Sequence, residues 1–459
     1  MTRAENGGSM RPVFPPAYEA AVESSLLAPV AIGDTGVDLL LLVSGFLITM
    51  RLSEEVHAGH GAVSFGRFVA RRWLRLMPPY LAALAVHAAA TPSACWAWGW
   101  TNIMFVNNMF GPQASQGSDD PDSPLAPCMG HAWSLAVEFQ LYLVSPALVW
   151  AMWRLGRGGL VPWWAVPTFA LAVSVALRSA LWASAESFGA LETSVYDKPY
   201  TRCGPYLVGM AVSWALRGHA QAGTTIMARE LSGPPPPVPP GARSSGALGP
   251  GGCRAELDLV PACPEPALRD SKSGSRILLP VFWAGAAAWA ALSWARAPFL
   301  LGAYLDQPGR SWAHGAAAVL FRPAFGLAVG AALLGMLAGS GEAGPARAAP
   351  SGAAVSLRSC WAAGPARLAG LLSLPAFVPI ARLGYGVYLL QFVPIFLLDL
   401  GTRPEPDDSF GAVVTKWAVL CAATLTASLG LAAVLFVCVE GPCLAARDRL
   451  TVARGVRSS

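Results

Sequence analysis

One stretch limits what this chain can fold into more than any other: HAWSLAVEFQLYLVSPAL, His131 to Leu148, is apolar enough for a membrane yet carries a glutamate near its middle. At the helical repeat His131, Ser134, Glu138, Tyr142 and Ser145 follow spacings of 3, 4, 4 and 3, which gathers all five within about a quarter-turn. One face is polar and the rest suits lipid. An ionised carboxylate at bilayer depth costs at least about 2.5 kcal/mol even on the lenient insertion scale, so Glu138 is expected to face partners or a wet cavity. Two roles fit it: a functional carboxylate, or a structural one that pins a neighbouring helix by hydrogen bonding.

The remainder of the chain agrees with a membrane setting. Of 459 residues 54% are hydrophobic and 13% charged, too little polar surface for a soluble protein of this length. The expected fold class is therefore all-α, a polytopic transmembrane helical bundle. A net charge of +5 is no argument for nucleic acid, because membrane proteins gather basic residues in cytoplasmic loops. Nine cysteines are scattered without the paired spacings of a zinc site, some within apolar spans, so no metal is expected. There is no internal repeat, and residues 1–34 lack the uninterrupted apolar core of a cleavable signal.

Taken in order, residues 1–34 read as a non-cytoplasmic lead. Gly36 to Met50 gives a short first span ending at Arg51, with Asp38 near its start and Gly45 and Thr49 on the same face. A basic segment with Arg51, Arg67, Arg71, Arg72 and Arg75 follows, cytoplasmic by the positive-inside rule. The chain then returns through a span expected to begin at Pro78 and Pro79, which suit a helix start better than its middle. WAWGWTNIMFVNNMF reads as an interfacial or re-entrant piece, and the acidic SQGSDDPDSP belongs outside. Cys95 and Cys128 would share that side, where a disulfide is permitted and two free thiols are the alternative.

The central span runs inward to Arg154 and Arg157. Residues 160–185 go out and the stretch from Tyr196 descends to Arg217, closing an N-terminal half at 35–217. Residues 218–275, with GPPPPVPPGARSSGALGPGG, are expected to form a disordered cytoplasmic linker. The C-terminal half, 276–442, adds spans near 277–297, 312–339, 377–400 and 413–438, with an Ala/Gly/Arg-rich cytoplasmic loop at 340–365. Residues 443–459 form a basic cytoplasmic tail. About nine crossings result, and every large arginine cluster falls on one side.

Several motifs now come together. VDLLLLVSGFLIT, FVARRWLRLMPPYL, HAWSLAVEFQLYLVSP, YTRCGPYLVGM, ARLGYGVYLLQ and VEGP follow one another as they do in the acyltransferase-3 family. The chain resembles that family of membrane O-acyltransferases, and the TRCGPYLVGM stretch is similar to its nose-resistant-to-fluoxetine branch. The resemblance implies transfer of an acyl group from cytoplasmic acyl-CoA to a hydroxyl on a carbohydrate or lipid acceptor, across a multi-pass membrane domain. It implies no permanently bound cofactor. The partners would be acyl-CoA, the acceptor and membrane lipids.

Site residues follow from the motifs and the chemistry together. Arg67, Arg71 and Arg75 lie on one side of a helix with Arg72 at the edge of that arc, where guanidinium forks would grip the phosphates of CoA. The family's Arg-x-x-Arg pair maps to Arg72 and Arg75, so Arg71, Arg72 and Arg75 are the expected donor-binding set; the same arginines would also serve as topology signals. Attack by an alcohol needs a base. In similar proteins it is a histidine on a first transmembrane helix, and in the family's ten-span pattern the first span here matches the second. The expectation is that this helix is missing from the sequence, or that the protein is a catalytically inactive relative that binds or transports lipid or small hydrophobic molecules.

Among the histidines present, His131 is the best substitute, sharing a face with Ser134 and Glu138, although a histidine near a helix end also serves as an interfacial or capping residue. His131, Glu138 and Ser134 are thus the expected catalytic group, with Asp38, Tyr142, Tyr388 and Gln391 as substrate contacts. Gly384, Tyr388, Gln391 and Asp399 share a stripe, with a kink expected at Pro394. Family members usually have histidine where Gln391 stands, and glutamine cannot shuttle a proton at neutral pH. An unrelated secondary transporter would need internal symmetry, which the sequence lacks.

Overall fold

The computed structural model describes residues 35–110, 123–158, 161–184, 194–231, 274–300, 312–340, 357–398 and 409–444. Among them every regular element is helical. In chain order these are α1 (Thr35–Ala58), α2 (Phe65–Ala90), α3 (Pro92–Ile103), α4 (Trp133–Gly158), α5 (Ala165–Ser184), α6 (Pro199–Leu231), α7 (Gly274–Leu300), α8 (Trp312–Ser340), α9 (Leu357–Leu372), α10 (Phe377–Leu390), α11 (Phe392–Leu398) and α12 (Phe410–Leu435). A 3-10 turn, Gly130–Ala132, leads into α4, and a π turn, Phe436–Glu440, follows α12.

Five described helical segments are long and apolar enough to cross a bilayer: Thr35–Ala58, Gly130–Gly158, Ala165–Ser184, Val319–Leu337 and Val414–Leu444. Leu279–Ser293 and Phe377–Leu390 are shorter apolar stretches. The class is the expected one, an all-α membrane bundle. Large apolar side chains such as Leu39, Leu47, Phe169, Leu327 and Val434 lie exposed, as lipid-facing residues do when the surrounding solvent is hydrocarbon.

The core is built around α1, which packs along α6 and also on α4. Two glycines allow the first contact. A Cβ on Gly45 would run into the Tyr206 carbonyl, and one on Gly209 into the Leu42 carbonyl, so the two backbones meet where neither side has a side chain. Around this crossing Leu41, Ile48, Leu52, Tyr206 and Met210 are buried, joined by Met77 and Tyr80 of α2 and Val149 and Met152 of α4. Helices α7 and α8 pair with each other, and α8 also contacts α5 and α6. Helix α10 packs on α12 and touches α2.

Several boundaries differ from the sequence expectation. The first span is not short: α1 continues through Arg51 to Ala58, because the charges at its end project where water is available. Pro78 and Pro79 lie inside α2 and do not start it. Proline removes its own N–H, which frees the Leu74 and Arg75 carbonyls, and the neighbouring Leu76 carbonyl accepts from the Tyr385 hydroxyl at 3.0 Å. Helix α6 runs on to Leu231, into the expected linker, since its first proline stands at 234; residues 232–273 lie outside the described residues. Residues 357–365, expected as loop, open α9.

The span at 377–400 breaks at Gln391, one turn before Pro394. Pro394 cannot donate to the Leu390 carbonyl, so the interruption precedes the proline. The lead 1–34, most of SQGSDDPDSP, Asp399 and the tail from 445 lie outside the described residues.

Polarity along the bundle is clear. Cys95, in the first turn of α3 just after α2 ends, and Cys128, shortly before α4, form a disulfide. Arg154 and Arg157 lie at the opposite end of α4, on the same side as Arg67 and Arg71, and Arg217 donates there to the Ser53 hydroxyl at 3.0 Å. Oxidised cysteines at one end and arginines at the other match a non-cytoplasmic and a cytoplasmic face.

Candidate functional site

Glu138 faces the protein interior. It is 6% exposed and accepts hydrogen bonds from the Ser44 hydroxyl of α1 and the Tyr142 hydroxyl one turn along its own helix. Arg72 completes the group: its guanidinium stands 5.6 Å from the centre of the Tyr142 ring and 5.7 Å from that of Phe68, within electrostatic reach of Glu138. The buried carboxylate therefore has two hydroxyl donors and a cation, the satisfaction that an intramembrane charge requires.

The arginines of α2 divide differently from the expected arc. Arg67, Arg71 and Arg75 do share a side, but it is the exposed one, and the Arg71 Nε–H donates to the Arg67 carbonyl at 3.3 Å. Arg72 is the residue that turns inward. It lies at i+4 from Phe68 and i−4 from Leu76, both buried, on the face that meets α4. Arg75 is exposed at its tip while remaining within electrostatic reach of Glu138 and Glu440.

His131, Ser134 and Glu138 do not converge into one group. His131 sits in the 3-10 turn before α4, and a second cluster that includes Ser134 forms around it. His131 Nε2 lies 3.3 Å from the Leu389 carbonyl at the α10–α11 break. Its ring stacks on Phe392 at 4.4 Å and lies 5.3 Å from the His87 ring. The Tyr388 hydroxyl donates to the His131 carbonyl at 2.5 Å and contacts the Ser134 hydroxyl at 2.5 Å. With Nε2–H donating to Leu389, a neutral imidazole presents Nδ1 as a proton acceptor. Seven residues separate His131 from Glu138, about 10 Å along a helix.

Asp38 belongs to a third cluster. Fully buried, it accepts from Arg202 of α6 at 3.1 Å and from Arg322 of α8 at 2.5 Å, one oxygen each. Arg178 of α5 donates to the Val319 and Thr201 carbonyls. Arg202 lies under the Trp133 and Tyr196 rings at 4.8 and 4.5 Å. Four helices are tied here, so Asp38 has engagements of its own that an acceptor would have to share. Nearby, Asn108 and Gln140 exchange hydrogen bonds, and Lys198 donates to the Asn108 carbonyl. Asp197, in the segment before α6, is 3.0 Å from Lys198; burial pushes its carboxyl above the ordinary value against the pull of that ammonium.

Gln391 is half-buried at the α10–α11 break, and its N–H caps Val387 at 2.9 Å. Of the asparagines taken as interfacial, Asn102 and Asn108 are buried and Asn107 is half-buried; Asn102 accepts from Tyr80 and donates to the Cys128 carbonyl. Among the described residues no group of three or more metal-ligating side chains occurs. Ser44, His87, Arg178, Arg202 and Arg322 were not anticipated. The three arginines carried the same signal as Glu138, a charge inside an apolar span.

Fold and interior together define a polytopic helical membrane protein whose charged groups are paired in the core between a basic and an oxidised end. Residues 11–215 match the family model of the acyltransferase domain in acyltransferase-3 proteins, the stretch holding α1 to α5 and the first half of α6. That stretch is similar to a membrane acyltransferase domain, and the resemblance carried by its motifs is upheld. It is 24% identical over 239 residues to the regulator of hypoxia-inducible factor 1 of Caenorhabditis elegans, covering 43% of each chain. It is 30% identical over 121 residues to an uncharacterized protein of Haemophilus influenzae, covering 24% of this chain and 47% of that one. The chain thus spans less than half the length of the curated relatives it matches. No solved structure matches.

Proposed function

We propose that this protein is a membrane O-acyltransferase that takes an acyl group from acyl-CoA at its basic face and transfers it to a hydroxyl of a carbohydrate or lipid acceptor. The observation that carries this reading is Arg72, the one arginine of α2 turned inward, held beside Tyr142 and Glu138 within the stretch that matches the acyltransferase domain. A guanidinium that never loses its charge suits the phosphates or thioester carbonyl of an incoming donor. Glu138, within electrostatic reach of Arg72, acts as a positioning residue.

In the chemical step the acceptor oxygen attacks the thioester carbonyl carbon, and its proton passes to His131 Nδ1. The carbon–sulfur bond breaks, and the leaving thiolate recovers that proton, giving ester and free CoA. Ser134 and Tyr388 fix the His131 backbone, while Leu389 fixes its ring. An oriented base of this kind contributes about a hundredfold or more.

Membranes containing the full-length protein, supplied with radiolabelled acetyl-CoA or palmitoyl-CoA, test the assignment through label entering the glycan and lipid fractions. Arg72→Ala and His131→Gln should lose transfer, and the exposed Arg71→Ala should keep most of it. Equal transfer by Arg72→Ala and wild type would overturn the donor assignment. Full transfer by His131→Gln would remove the base.

A further inference from the structure

At the basic end of α4, away from all three interior clusters, the chain builds a cavity of about 390 Å³ lined by His60, Gly61, Trp150, Trp153, Arg154 and Arg157. Its floor is one helical face. Trp150, Trp153, Arg154 and Arg157 stand at i, i+3, i+4 and i+7, and the Arg157 guanidinium lies 5.0 Å from the centre of the Trp153 ring. Its wall is the α1–α2 loop. Gly61, at φ 102°, packs so tightly that a Cβ there would lie 2.7 Å from the Trp153 ring, and its N–H bonds the Val56 carbonyl at 2.8 Å. Glu55, in the last turn of α1, accepts from the Ser64 N–H at 3.1 Å. The wall is thus held in place by the chain itself.

The setting selects the occupant. Leu143, Ala147, Trp150 and Arg154 form one exposed stripe down α4, apolar for most of its length and cationic at the end. This is the profile of a surface that meets acyl chains first and phosphates second. Arg72, placed at the donor site, is not among the lining residues. We infer that this cavity binds the phosphate headgroup of an anionic phospholipid of the cytoplasmic leaflet, with Arg154 and Arg157 on the phosphate and the lipid's chains along Leu143 and Ala147. The inference stands independently of acyl transfer.

Full-length protein in phosphatidylcholine nanodiscs with phosphatidylserine, re-extracted into mild detergent and analysed by quantitative lipid mass spectrometry, tests it. Wild type should retain phosphatidylserine well above its share of the nanodisc lipid. Arg154→Gln/Arg157→Gln should fall to that share. Trp150→Leu, a change at a half-exposed side chain that leaves the charges in place, should cut the excess at least severalfold and guards against misfolding of the first variant. Retention unchanged in both variants overturns the site. No phosphatidylserine excess in wild type, with adenosine 3′,5′-bisphosphate bound by wild type and lost in Arg154→Gln/Arg157→Gln, overturns the lipid assignment and gives the cavity to the nucleotide of CoA.

Discussion

At the scale of single residues, the membrane interior sets a strict rule: a charge enters only with partners. Glu138 meets it through Ser44, Tyr142 and Arg72. Removing one side of such a buried group leaves the other uncompensated, at a cost of about 3–5 kcal/mol. Glu138→Ala should therefore lower the thermal midpoint in detergent far more than Ser44→Ala, which removes one hydrogen bond worth about 1 kcal/mol. A midpoint for Glu138→Ala equal to that of Ser44→Ala would refute the pairing. Asp197 gives a pH prediction. Its carboxyl is raised by burial, so the folded protein holds this proton more tightly than the unfolded chain. Its contribution to stability is full below the unfolded pKa and declines as pH rises through the folded one. Asp197→Asn should flatten that decline in an acid-to-neutral stability series, and a variant with an unchanged slope would contradict it.

The residue scale was also the most legible in sequence. Ser134, Glu138, Tyr142 and Ser145 could be placed on one buried face from spacing alone, and all four are buried. His131, in the 3-10 turn before Trp133, is half-buried and meets Ser134 through Tyr388. Arg67, Arg71 and Arg75 lie on the arc that spacing draws, and that arc is exposed. Phe68 and Leu76, one turn either side of Arg72, marked the inward direction.

At the scale of elements, the α1–α6 crossing organises the core. Gly45 and Gly209 let carbonyls of the opposite helix approach where a methyl group would collide. Because the colliding atoms are backbone, the helices themselves must move, and overpacking of that kind costs about 1–3 kcal/mol. Gly45→Ala and Gly209→Ala should each reduce the folded fraction on size-exclusion, whereas Gly36→Ala, whose surroundings are open, should not. Equal behaviour of all three would contradict the close approach. The first span revealed small residues on one face but not their partner, since helix pairing is long-range information. Proline positions misled twice. Pro78 and Pro79 are accommodated inside α2, and the break near Pro394 falls a turn early, because the carbonyl that loses its partner lies four residues before the proline.

At the scale of the whole molecule, opposite ends carry opposite chemistry. A disulfide closing a separation of 33 residues contributes about 3–4 kcal/mol on the chain-entropy model. Reductant should lower the unfolding temperature of wild type and leave Cys95→Ala/Cys128→Ala unaffected, and an equal response in both would remove the bridge from the oxidised face. The membrane class was legible because hydropathy acts through sequence-local physics. The Asp38–Arg202–Arg322 tie was not, because its members are 164 and 284 residues apart.

Equilibrium binding of a non-hydrolysable acyl-CoA analogue to the purified protein tests the central claim, that an inward Arg72 receives the donor while the chemistry occurs at the other cluster. Arg72→Ala should weaken Kd by about tenfold or more, as loss of a charge-assisted hydrogen bond of at least about 1.5 kcal/mol requires, and His131→Gln should bind as wild type does. An Arg72→Ala protein with wild-type Kd, or a His131→Gln protein weakened just as much, would contradict it.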